Sequence, residues 1–307
     1  PAVARPRTSV SKGFRFRPAL VRVLALHIVL LNGCGTQAGP KPPGQPATGP
    51  GGADYKHASV EALRSGSGPD EFWIFTPADP RPEVAPVVPG FDLAGTTIPH
   101  DEVGGDYYDF IPISDTRLGI AIADVSGKGI PAALIMAGFR MSLLAEIRNE
   151  FAIRAVMRKV NGLLHESTDR DKFVTAFYGV LDHKNRVLIF SNAGHNPPVL
   201  FRSEGRIEYL EEGGVALGVL PEAHYEERPI ALRPGDVLLF FTDGVSEAES
   251  PTGEHFGQQR IERVVAAHTG RGAAEIMAAL IAAVREWAGE RGQSDDLTLV
   301  VLKVNPE

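Results

Sequence analysis

The stretch from residue 101 to residue 134, DEVGGDYYDFIPISDTRLGIAIADVSGKGIPAAL, constrains the fold more than any other. Residues 117–125 (RLGIAIADV) are a short apolar run with Ile at alternate places and turn residues beyond, the pattern of a buried strand. Asp124 falls near its end. Ser126-Gly127-Lys128-Gly129 then turns the chain, and Pro131 suits the first turn of a helix. Upstream, Gly104-Gly105 delivers Asp106 where the main chain can approach a ligand closely. Carboxylates at strand ends beside glycines supply what a hard divalent cation needs, oxygen ligands with room for water. Taken singly, each is more commonly a turn former or helix cap. A phosphate loop is excluded, because Gly127-Lys128 lacks both the first Gly of that motif and the Ser or Thr after the Lys.

The rest of the chain divides by composition. Residues 1–34 have a basic start, then an apolar run over residues 21–31 interrupted by Arg22 and His27, then Cys34 after Leu31-Asn32-Gly33. In outline this is a secretory signal ending in a lipoprotein-like box. A cytoplasmic location is expected, with a membrane-anchored lipoprotein through Cys34 as the alternative. Residues 35–89 read as a mostly disordered Pro- and Gly-rich linker, with a short helix expected over 55–65 and an apolar cluster at 72–75. No run of 18 or more apolar residues appears, so no membrane-spanning helix is expected. The single cysteine excludes an internal disulfide and a cysteine-rich zinc site. A formal net charge of −7 argues against nucleic acid as the partner.

From residue 90 to 307 the pattern is that of one folded domain. Strands are expected at 91–99, 107–113, 117–125, 173–181, 186–192, 199–202, 206–210, 235–242 and 297–304, and helices at 131–149, 153–167, 258–268 and 273–289. Runs of strands broken by helical pairs, without regular alternation, predict an α+β fold of layers with mostly antiparallel sheet. Two further acidic positions repeat the setting of Asp124. Asp243 ends the apolar strand in FFTDGV, and Asp295-Asp296 precedes the last strand in SDDLTLVV. Neighbouring carboxylates repel unless water or a cation relieves them. Together with Asp106 and Asp124 they compose a plausible two-metal cradle.

The motifs EVGGDYYDF, ADVSGKGIPAAL, NAGHNPP, FFTDGVSEA and SDDLTLVVL, in this order, resemble the bacterial PPM-type (protein phosphatase 2C-like) serine/threonine phosphatases of the sporulation stage II protein E class. The resemblance spans about residues 90–304. It implies an α-β-β-α sandwich, two packed antiparallel sheets flanked by helices, with the metals at one end. It implies that Asp124 bridges two ions, Mn²⁺ or Mg²⁺, and that Val125 offers a backbone carbonyl. Asp106 would belong to the same cluster, and Asp243 and Asp295 would bind the second ion. A water held between the ions would attack phosphorus. The implied substrate is a phosphoserine or phosphothreonine protein, a small anti-anti-sigma-factor domain in a partner-switching pathway, with a homodimer through helices near the catalytic domain. A catalytically silent phosphoprotein-binding regulator and a small-molecule phosphomonoesterase are the alternatives.

Two positions depart from the wider PPM pattern. Where eukaryotic-type members carry a His two residues after the bridging Asp, this chain has Ser126, and none of the arginines before Asp106 stands out as the counterpart of the early Arg that holds phosphate in those members. His195, in NAGHNPP, is either a substitute acid or a loop residue tying down backbone. Lys128 is either a phosphate contact or a solvated turn residue.

Overall fold

The structure, a computed structural model, describes residues 60–64, 73–77, 85–100 and 104–306. The signal-like segment with Cys34, most of the expected linker, and Asp101, Glu102 and Val103 lie outside the described residues. Within the linker, β1 (Val60–Arg64) pairs antiparallel with β2 (Trp73–Pro77), so the described part of the expected 55–65 helix is a strand. Val60, Trp73, Ile74 and Phe75 are β-branched or aromatic, residue types that favour strands.

The elements that build the site follow in order. They are β3 (Phe91–Ile98), β4 (Tyr107–Ser114), β5 (Arg117–Val125), α1 (Gly129–Glu146), α2 (Ile153–Ser167), β6 (Val174–Asp182) and β7 (Val187–Ala193). After them come β8 (Val199–Phe201), β9 (Ile207–Tyr209), the two-residue β10 (Gly213–Gly214), β11 (Arg228–Ala231) and β12 (Val237–Phe241). The chain closes with a single helical turn α3 (Asp243–Ser246), then α4 (Gln258–His268), α5 (Ala273–Ala288) and β13 (Leu297–Val304). The first sheet runs β10-β7-β6-β5-β4, with β11 also on β7; the second runs β3-β13-β12-β8-β9. Every pairing is antiparallel except the short β10–β7 contact.

Strand alternation explains the stacking of layers. On β5, Ala121, Ala123 and Val125 point into a core shared with Met136, Phe139 and Leu143 of α1 and Val156, Val160 and Leu164 of α2. Its alternate residues, Leu118, Ile120 and Ile122, enter a second core between the sheets, with Phe177, Phe190, Leu238, Phe240, Val300 and Leu302. Phe177 anchors that inter-sheet core, stacked on Phe190 at 5.4 Å and edge-on to Phe240 at 5.2 Å. The other faces of β12 and β13 meet Ile261 and Val265 of α4 and Ile276, Leu280 and Val284 of α5 in a third core. The order of layers is therefore helices, sheet, sheet, helices, the α+β sandwich expected.

Helix α1 needs one correction. By length and composition alone it would serve to cross a membrane, although Arg140 interrupts its apolar run. Here it lays Ala132, Met136, Phe139 and Leu143 on the first sheet as a core helix does, while Leu134 and Met141 remain exposed. The expected helix 131–149 begins two residues earlier and ends at Glu146, before the turn that leads to Ala152.

Candidate metal centre

Four places where a strand meets a turn bring the acidic residues to one end of the sandwich. Asp106 immediately precedes β4, and Asp124 is the penultimate residue of β5, opposite Thr175 of β6. Asp243 opens α3 just after β12, and Asp295-Asp296 precede β13. β12 and β13 are neighbours in the second sheet, so Asp243 and Asp295 fall side by side.

Threonines tie the two sheets together at this end. Thr242 Oγ1 donates to Asp106 Oδ2 at 2.7 Å, and the same oxygen accepts from Thr298 N at 3.2 Å. Thr298 Oγ1 lies 3.0 Å from Thr97 Oγ1 of β3. Asp106 is thus fixed by a residue 136 positions away in sequence. Asp296 is buried, and its Oδ1 accepts from His100 N at 2.8 Å. A Cβ on Gly104 would come within 2.0 Å of Asp296 Oδ2, and one on Gly244 within 2.0 Å of Asp296 O. Gly244 is therefore required by close approach to the backbone at the acidic end of β13, and Gly104 lies against the Asp296 carboxylate.

The electrostatics show crowding. Burial, then the charge of Asp124, pushes Asp106 well above the usual carboxylate range. Burial, then Asp243 and Asp295, pushes Asp124 up to about 7, and its hydrogen bond with Asp106 moderates the rise. Asp243 is raised by burial, then by Glu247 and Asp295. On the exposed side, Lys128 Nζ sits 2.8 Å from Asp295 Oδ2.

These groups fit a hard divalent cation in kind: carboxylate oxygens from five aspartates, a buried setting that makes their charge costly, and glycines that leave the space between them open. Among the described residues, no three His, Cys, Asp or Glu side chains are arranged to close on one ion as they stand. Holding one would require the carboxylates to draw inward in their ionised form.

The other candidate residues separate by position. Val125 is buried, and its carbonyl lies 3.3 Å from where a Cβ on Gly105 would stand, beside Asp124. Ser126 turns away from the carboxylates: its Oγ accepts from Phe173 N, and its own N–H donates to Phe173 O, each at 3.0 Å. It secures the turn to the start of β6 rather than facing a substrate. His195 is buried at 4% exposure, and its main chain is tied to Asn192, whose Oδ1 accepts from His195 N at 2.7 Å. Its Nδ1 is 3.0 Å from Thr175 Oγ1, which in turn lies 3.4 Å from Asp124 O. Burial drives its pKa down to about 4, so the ring is neutral at pH 7 and suited to bracing the loop rather than to donating a proton. Thr242, Thr298 and Thr175 were not singled out from sequence. The one available signal was their place beside the acidic positions, Thr242 directly before Asp243 and Thr298 two residues after Asp296.

The layers are those of a protein phosphatase 2C-like fold, and the solved SiaA PP2C domain of Pseudomonas aeruginosa superposes with a TM-score of 0.62 at 23% identity, covering 69% of this chain and 85% of that one. Residues 114–305, well over half of the chain, match the family described as Stage II sporulation protein E (SpoIIE), and the chain belongs to that family. Among curated relatives, protein IcfG of Synechocystis is 35% identical over 198 residues, 55% of this chain and 31% of that protein. The phosphoserine phosphatase RsbU of Bacillus subtilis is 27% identical over 213 residues, 69% of this chain and 63% of its own length. The chain thus spans less than two thirds of either relative.

Proposed function

We propose that this chain is a divalent-metal-dependent protein phosphatase acting on phosphoserine or phosphothreonine in a regulatory protein, a small anti-anti-sigma-factor domain being the substrate of choice. The observation that carries this reading is the cross-sheet assembly of Asp106, Asp124, Asp243 and Asp295, with Asp106 bonded to Thr242. Such a cluster costs stability wherever it is ionised, and a buried group of like charges is characteristic of functional sites. The phosphoserine phosphatase RsbU, alike over most of this chain, supports the substrate class.

Asp106, Asp124, Asp243 and Asp295 are the residues proposed to hold two Mn²⁺ or Mg²⁺ ions, with the Val125 carbonyl as a further oxygen. Bound there, the ions would supply Lewis acidity toward phosphate oxygens and lower the pKa of a water. The protein's own part is orientation. Thr242 fixes Asp106, the β5–β6 pairing fixes Asp124, and the Asp295–Lys128 contact sets the charge at the rim. No side-chain nucleophile is required, and Ser126, bonded to Phe173, is not placed to act as one.

The test is turnover of p-nitrophenyl phosphate with Mn²⁺, before and after EDTA. Metal-dependent turnover that fails on Asp124→Asn supports an enzyme, and its absence in the parent leaves a binding module. Preference for a phosphoprotein over small phosphoesters separates a protein phosphatase from a metabolite phosphatase. Such a substrate implies the cytoplasm.

A further inference from the structure

Lys128 is the first residue outside α1, with an extended backbone (φ −133°, ψ 165°), and its side chain crosses to the approach of β13. Its Nζ donates to Ser294 O at 3.0 Å and to Asp295 Oδ2 at 2.8 Å. An ammonium has three N–H donors, so these two contacts leave one for another acceptor. The pair is half exposed, 56% for Lys128 and 43% for Asp295. Asp243 lies within reach of the same positive charge. Lys128 is therefore a cation standing beside two of the carboxylates proposed to hold a divalent ion.

We propose that Lys128 is a movable counter-charge. It shares Asp295 with the ion that Asp243 and Asp295 hold, and once that ion takes Asp295, the released ammonium binds a phosphate oxygen of the substrate. The inference rests on the proposed phosphatase reading and names a residue for phosphate recognition at the rim of the site.

Three physical arguments support it. The first is energetic: a half-exposed Lys–Asp pair contributes little, since solvent screens it and two side chains must be ordered. A divalent ion with several carboxylate oxygens outcompetes such a contact. The second is mechanical, because Lys is a compact charge on a flexible stem and can swing without moving the helix behind it. The third is complementarity. The site has abundant negative charge, and no Arg occurs between residue 85 and Asp106, so a dianionic phosphate needs a cation at the rim to approach it.

Two variants and two readouts test this. Lys128→Met keeps the length of the stem and removes the charge; Lys128→Arg keeps the charge. Calorimetric titration of the protein with Mn²⁺ measures competition for Asp295 without reference to turnover. Steady-state kinetics on p-nitrophenyl phosphate, with inorganic phosphate as inhibitor, measure phosphate contact. Lys128→Met is expected to bind Mn²⁺ about two- to fivefold more tightly, the size of a lost exposed ion pair. It should also raise KM and the phosphate inhibition constant about tenfold, the loss expected of one charge-assisted hydrogen bond. Lys128→Arg should restore phosphate affinity toward the parent value. Unchanged or weaker Mn²⁺ binding in Lys128→Met would overturn the sharing of Asp295, and an unchanged KM and inhibition constant would overturn the phosphate contact. If the parent shows no metal-dependent turnover, the phosphatase reading fails, while the calorimetry still decides whether Lys128 competes with Mn²⁺.

Discussion

Asp106 and Asp124, at the end of the first sheet, and Asp243 and Asp295, at the end of the second, face the same problem of crowded negative charge and meet it differently. The first pair is the more deeply set. Burial raises both carboxyls, and the charge of Asp124 raises Asp106 further, so a proton relieves them. The second pair stands at the rim, where Lys128 bonds to Asp295. One half of the site is neutralised by a proton and the other by an ammonium. Both are single positive charges that a divalent ion can replace, which makes the two halves separable by mutation.

The sharpest break of this comparison is Asp124→Asn. Asn keeps size and hydrogen bonding but cannot bridge two cations about 3.5–4 Å apart against their repulsion. Activity should fall at least about 100-fold, beyond the 10–100-fold typical of outer-shell partners, and excess Mn²⁺ should recover little. Asp115→Asn, in the turn between β4 and β5, should behave as the parent in the same assay. Asp243→Asn removes a rim carboxylate, although its charge also acts on Asp124. It should lower turnover about tenfold at limiting Mn²⁺ and recover as Mn²⁺ is raised, a rightward shift seen by titrating rate against metal.

A subtler break targets the tie between the halves. Thr242→Val removes the donor to Asp106 Oδ2 and leaves Thr298 N without its acceptor. The cost should be about 1–3 kcal/mol of stability, read by denaturant unfolding, with Thr242→Ser restoring most of it.

The pH dependence sharpens the proton side of the comparison. Asp124 is raised to about 7 in the fold, against about 3.9 in an unfolded chain. The fold favours the protonated form. Its stabilisation is present in full below the unfolded value and is lost as pH rises through 7. Without added metal, Asp124→Asn should therefore unfold at a higher temperature than the parent at pH 8, and the gap should shrink steadily as pH falls through 7 toward 4. A gap that widens on acidification would contradict a shared proton.

Much of this was legible in the sequence because it is local. The alternation of Leu118, Ile120 and Ile122 against Ala121, Ala123 and Val125 specifies a strand between two cores, and β5 has the expected bounds. Helix α2 does too, because Val156, Val160 and Leu164 repeat at helical spacing. The acidic residues announced themselves as Asp beside Gly or Asp beside Asp at strand ends. What escaped was tertiary. Thr242 and Thr298 matter only because β12 lies beside β13 and across from Asp106, a neighbourhood that no spacing encodes. Asp296, the more buried of its pair, reads like Asp295 in one dimension, and only the packing of Gly104 and Gly244 against it tells them apart. β11 was missed because Pro229 sits inside it, tolerated where a strand pairs on one side. The short strand at 60–64 has too few residues for either period to dominate.

The central claim is that carboxylates from both sheets hold divalent ions jointly through Asp124. Calorimetric titration of Mn²⁺ into EDTA-treated, dialysed parent and Asp124→Asn proteins at pH 8 tests it most directly, since it counts ions rather than products. The account expects two ions per chain for the parent, and one or none for Asp124→Asn, with folding of both checked by circular dichroism. A parent that binds no Mn²⁺, or an Asp124→Asn protein that binds the parent's number with the parent's affinity, would contradict it.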